Sequence, residues 1–201
     1  RAGSHRRFGG PERQRHPVGR ADPLETAALL ITAVGQLAFP AQANGSLVRN
    51  AEGEVVGSSL IGQNFTAADG EPLPEYFQPR PSAAGDGYDG GASSGSNWGP
   101  ENEDLIAAIE ERKAQIAEFN GVSPDEIPAD AVTASSSGLD PHISPAYAAL
   151  QIARVAEARS IPAEQVRELV EAHTQGPDAG YLGESRVNVL ELNIAVDELE
   201  G

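Results

Sequence analysis

Three short arrangements in this chain have the residue types that catalysis or ligand binding requires. Asp140, His142 and Ser144 supply an acid, a base and a nucleophile, the parts of a hydrolytic triad. Alternate residues of one short stretch do not in general converge in those roles. Asp140 therefore reads as turn chemistry with Pro141, and Ser144 as the N-cap of a helix opening on Pro145. His142 is then expected at a surface or an interface. Gly91-Ala92-Ser93-Ser94-Gly95 has the letters of a nucleophile elbow. That makes a secreted serine hydrolase using Ser93 the alternative function, although the chemistry needs a strand-to-helix turn and loop-forming residues flank Ser93 on both sides. Gly85-Asp86-Gly87-Tyr88-Asp89-Gly90 fits the dinucleotide-binding glycine pattern, but Ser82-Ala83-Ala84 is no strand and Gly91 opens no helix.

Other chemistries lack their parts. The chain has no Cys, which removes disulfides, thiolate metal sites and cysteine nucleophiles. Asp86 and Asp89 in a glycine-rich loop fall short of the ligand number and spacing of a calcium loop. The one lysine, Lys113, sits on a helix face and belongs to no phosphate-binding loop, so the chain is not expected to hydrolyse ATP by itself. His173 falls on an apolar helical stripe and reads as a packing residue. Asn44 and Asn64 each open a glycosylation sequon, for which chance suffices.

The elements that would position these residues follow from composition. At 201 residues, with 39% hydrophobic side chains, 22 Gly and 15 Pro, the chain predicts one modest core with long loops. Residues 1–20 hold six Arg against one Glu, whereas the remainder holds eight basic and 29 acidic residues, a balance of −21 that should repel nucleic acid. Residues 1–25 read as a basic, polar leader, disordered or foreign to the fold. Residues 26–43 carry the only long apolar run, TAALLITAVGQLAF over 26–39; at about 1.5 Å per residue it reaches roughly 21 Å, short of a ~30 Å hydrocarbon core. From residue 44 to 201 the pattern predicts one soluble α+β domain. A strand is expected over Val55–Gly62, then loop through Pro100. An amphipathic helix follows, capped by Asn102 and closed by Gly121. Two further helices open at Ser144 and Ser160, a short strand covers Val187–Leu190, and a last helix covers Leu192–Leu199. The hydroxyl-rich stretch Val132–Pro145 lies at the centre of this plan.

Several blocks also carry a resemblance: FPAQANGSLV (39–48), GSSLIGQNF (57–65), YFQPRPSA (76–83), SSGSNWGP (93–100), VTASSSGLDPHISP (132–145), QIARVAEAR (151–159) and GESRVNVLELNIAVDEL (183–199). Their order and length resemble KdpC, the C subunit of the Kdp-type potassium-transporting P-type ATPase. The resemblance implies a single-span membrane protein whose soluble domain lies outside the cytoplasm. Its partners would be a channel-like potassium-translocating subunit, a P-type ATPase subunit and a small membrane peptide. It implies a non-catalytic accessory role, in which the chain supports assembly and raises the ATP affinity of the ATPase subunit. No cofactor is then held tightly, any ATP is shared with that subunit, and no catalytic or metal-binding residue is expected. Family members begin with a full hydrophobic helix, and here Arg1–Glu25 stands in place of its first half, leaving 26–43 as the remnant of an anchor. The polar blocks offer Gln63, Asn64, Arg80, Ser94, Asn97, Asp140 and His142 as residues that either contact partners or order loops lacking an apolar anchor.

Overall fold

A computed structural model describes residues 23–199, so the leader assigned to residues 1–25 lies outside the described residues as far as residue 22. The chain divides into two compact units, residues 1–43 and 44–201. In the first, α1 runs Pro23–Ala38 and α2 runs Pro40–Ala43. The start of α1, three residues ahead of Thr26, suits a proline whose φ is already helical and an acidic Glu25 in the first turn. Its apolar side chains face outward: Leu29 is 71% exposed, Ile31 73% and Leu37 87%. Among the described residues no helix is long and apolar enough to cross a membrane.

The second unit is α+β. It opens with an antiparallel hairpin, β1 (Leu47–Arg49) and β2 (Val55–Ser58), bulged between Val48 and Arg49. The strand expected to reach Gly62 stops at Ser58 because that serine turns the chain: its Oγ accepts from Leu60 N–H at 3.2 Å and its carbonyl from Ile61 N–H at 3.2 Å. Helix α3 (Glu103–Asn120) has the predicted ends, with the Asn102 side chain accepting from Asp104 and Leu105 N–H, and Gly121 in the left-handed conformation that closes it. After a short 3-10 turn and α4 (Ala129–Val132) come β3 (His142–Ile143), α5 (Pro145–Arg159), α6 (Ala163–Ala172), β4 (Thr174–Gln175), β5 (Arg186–Asn188) and α7 (Val189–Glu198). The three late strands form one antiparallel sheet in the order β3-β5-β4. Helix α7 begins three residues earlier than its pattern suggests, since the Asn188 side chain accepts from Glu191 N–H and caps it directly off β5.

Helix α5 is the centre of the core. Tyr147, Ala148, Ile152, Val155 and Ala156 on it are buried, together with Val166 and Val170 of α6, Leu192 and Val196 of α7, and Ile143 and Val187 of the sheet. Between Ser59 and Asn102 no regular element forms, so the buried backbone there needs partners from elsewhere. Asn193 Oδ1 accepts from Phe77 N–H at 2.8 Å and its Nδ2 donates to Phe77 C=O at 2.9 Å. Gln151 treats Gln78 the same way, at 2.7 and 3.1 Å. Two side-chain amides thus act as a neighbouring strand would. Arg154 extends the set by donating to the carbonyls of Pro74 and Tyr76, to Gln151 Oε1 and to Asn120 Oδ1, with its guanidinium 4.4 Å from the centre of the Phe119 ring. Burial lowers the Arg154 pKa to about 10, which leaves it charged at neutral pH. Phe77, wholly buried, is the apolar plug these contacts seat.

Gln151→Met keeps roughly the same volume but strands the N–H and C=O of Gln78 and removes an acceptor from Arg154. The expected cost is about 3 kcal/mol or more for the three groups together. It is read as a fall in the urea midpoint of the full chain, larger than that of Ala153→Ser on the exposed face of the same helix.

Candidate functional site

The stretch 132–145 is built by its own hydroxyls. Buried Ser135 accepts at Oγ from Gly138 N–H (3.1 Å) and Asp140 N–H (3.3 Å), while Ser137 Oγ accepts from Leu139 N–H (3.1 Å). Gly138 has φ +70, and a Cβ there would lie 2.6 Å from the Ser94 carbonyl oxygen and 2.7 Å from Ala84 Cβ, so only glycine lets the loops close. The glycine-rich loop docks on this platform: Ser82 Oγ donates to Gly138 C=O at 2.6 Å, Ser93 Oγ to Ser137 C=O at 2.9 Å, and Ser94 N–H to Ser137 C=O at 3.0 Å. The serine hydrolase reading is therefore corrected. Ser93 lies on no strand-to-helix turn, and its hydroxyl donates to a carbonyl rather than to a base. The pattern at 85–90 likewise consists of turns, in which Tyr88 is buried at φ +58 and donates to Arg80 C=O at 2.7 Å.

Beside the platform, Arg80, Asp140 and His142 meet in a cleft of about 560 Å³. Arg80 Nη1 donates to Asp140 Oδ2 at 3.0 Å, and Nη2 reaches Thr133 C=O at 3.4 Å. His142 Nδ1 lies 3.1 Å from Asp140 Oδ1, which also accepts the His142 backbone N–H. Burial disfavours the Asp140 carboxylate, but the His142 ring, the His142 N–H and the charges of His142 and Arg80 outweigh it and hold the pKa below its ordinary value of 3.8. Two of the three triad residues do converge. Ser144 does not join them: its Oγ donates to Asp130 Oδ1 at 2.8 Å and accepts from Tyr147 N–H, which makes it the cap.

The remaining candidates are dispersed. Gln63 Nε2 donates to Val56 C=O at 2.8 Å, closing the hairpin onto the following loop. Asn64 is exposed beside Gly87, where a Cβ would come 2.3 Å from its Nδ2. Ser94 and Asn97 belong to the glycine-rich loop, Asn97 at φ +54 with Nδ2 donating to Gly95 C=O at 2.9 Å. His173 is half-buried, with Nδ1 2.9 Å from Leu169 C=O. The residues overlooked from sequence are Gln151, Arg154, Asn193 and Asp130. A glutamine and an arginine on the buried side of an alanine-rich helix are the signal that could have found the first two.

Comparison with known proteins accords with the blocks noted above. The model of the KdpC family, described as the K+-transporting ATPase c chain, matches residues 27–198. A potassium-transporting ATPase KdpC subunit from Caulobacter vibrioides is 57% identical over 170 residues, 84% of this chain and 82% of that protein. Subunits of the same name from Mycobacterium bovis and Gemmatimonas aurantiaca are 54% and 58% identical, each over 85% of this chain and over 87% and 82% of their own lengths.

A carboxylate held below its ordinary pKa stabilises the fold above the unfolded value and loses that contribution as the pH falls through the folded one. Asp140→Asn is expected to destabilise the chain by roughly 1–3 kcal/mol at neutral pH, through the lost charged hydrogen bonds to Arg80 and His142. The gap between wild type and variant should begin to shrink as the pH falls below about 4, the unfolded value, and close only below the lowered folded value, where Asp140 is neutral in both states. Urea unfolding at a series of pH values checks this; a constant gap would assign the loss to packing.

Proposed function

This chain belongs to the KdpC family, the c chain of K+-transporting ATPases, and from that premise we propose that it is a non-catalytic accessory subunit of an ATP-driven potassium import complex. It supports assembly and raises the ATP affinity of the ATPase subunit. The observation that carries this reading is α1: an apolar helix with its leucines and isoleucine exposed needs other helices or lipid around it. Each such side chain contributes about 1.5–3 kcal/mol when fully covered. The natural cover is the membrane part of the complex, comprising a channel-like potassium-translocating subunit, the P-type ATPase subunit and a small membrane peptide. The α+β domain then lies outside the cytoplasm. The glycine pattern at 85–90 forms turns, so in this reading an effect on ATP passes through the ATPase subunit.

Co-expression of the tagged full chain with the channel-like and ATPase subunits tests both halves. The expected result is co-purification of both subunits and a lower KM for ATP than without the chain. Leu29→Asp with Ile31→Asp should abolish co-purification while leaving the circular dichroism of the α+β unit unchanged. Failure of the wild-type chain to bring down either subunit would refute the accessory role; co-purification with an unaltered KM would remove the ATP half alone.

A further inference from the structure

A second cleft of the α+β unit lies away from the Arg80–Asp140–His142 cluster. It encloses about 660 Å³ between the tip of the β1–β2 hairpin, the loop at 63–66 and helix α7, a volume within the ordinary range for a ligand cleft. Its floor combines aromatic and aliphatic side chains with the amides of Gln63, Asn64 and Asn193. Phe65 and Tyr76 pack with ring centres 5.4 Å apart, both half-buried, and Ile194 of α7 lies alongside. Its rim is acidic, with Glu52 at the hairpin tip and Asp197 and Glu198 at the end of α7. Arg159 borders it, with its guanidinium 4.8 Å from the centre of the Tyr76 ring. Asp197 is held by Arg159 at 2.6 Å, but Glu52 and Glu198 are exposed and, among the described residues, have no ion-pair partner.

This combination selects against most ligands. An anion is repelled by the rim and by the surplus of 29 acidic over eight basic residues beyond residue 20. A bare metal ion gains little from an aromatic floor, and a neutral apolar group leaves the carboxylates uncompensated. A cationic head on an apolar body satisfies both parts, because the head meets the exposed carboxylates of Glu52 and Glu198 while the body covers the floor. We infer that this groove docks an extended segment of another subunit of the complex, one carrying a lysine or arginine beside a large apolar side chain. The inference rests on the accessory-subunit reading above for the existence of that complex.

The test uses charge reversal at two exposed positions. In Glu52→Lys with Glu198→Lys, the first change lies at a hairpin tip and the second places a cation at a helix C-terminus, where the dipole favours it, so folding is preserved. The control is Glu110→Lys with Glu168→Lys, exposed on α3 and α6, which shifts net charge equally. Each double variant replaces the tagged chain in the co-expressed complex. The groove variant should bring down roughly tenfold less of its partner than wild type, and the control should match wild type. Raising salt should weaken wild-type association and narrow that gap. Equal co-purification of wild type, groove variant and control refutes the groove as a docking site. So does a groove variant that alters only self-association of the chain or its binding to phosphatidylcholine vesicles. If the wild-type chain brings down nothing, the complex reading fails and this inference falls with it.

Discussion

The α+β unit depends on side-chain amides that stand in for a missing strand. Phe77 is wholly buried and Gln78 half-buried, and no strand runs beside them to take up their N–H and C=O groups. Asn193 and Gln151 each offer one donor and one acceptor at the spacing a peptide group would, so each satisfies a whole backbone unit. Arg154 and Arg159 continue the arrangement onto the carbonyls of Pro74, Tyr76 and Glu75. Many consequences follow from those few contacts. With Phe77 seated, the preceding loop is anchored through Gln78, whose amide donates to the carbonyls of Phe65 and Leu73. The following loop is anchored through Arg80 on Asp140.

Buried arginine ordinarily calls for a carboxylate, and Arg154 has none among its hydrogen-bond partners. Its charge is met by carbonyl dipoles, two amide oxygens and the Phe119 ring. A carboxylate in that position would satisfy the cation equally but could not also accept from and donate to a peptide unit. Gln151, which binds both Arg154 and Gln78, does so because an amide has both polarities.

Helices were the readable part of this fold. Asn102, Gly121, Ser144 and Pro145 set boundaries through local chemistry that does not depend on the rest of the chain, and α3 and α5 start where those residues indicate. Strand lengths were less legible, since Ser58 and Asn188 end their strands by hydrogen bonds to neighbours only a few residues away, and those compete with the ladder. The site was legible in part. Arg80, Asp140 and His142 stood out as polar residues in loops, and the fold gathers them into one cleft. Gln63, Asn64, Ser94 and Asn97 share the same composition but lie elsewhere, because composition marks a polar residue without saying which distant segment it meets. The groove between the hairpin tip and α7 joins residues near 52, 65 and 197, and no local pattern connects them.

The amide contacts also span long stretches of chain, Phe77 to Asn193 across 116 residues and Gln78 to Gln151 across 73. Contacts of that separation close late in folding, after the entropy of a large loop has been lost. Until α5 and α7 have docked, the backbone from Ser59 to Asn102 is held by short-range turns such as Leu73 N–H to Phe65 C=O and Asp89 N–H to Ala84 C=O. Folding of this unit is therefore a closing step in which the C-terminal helices capture the earlier loop.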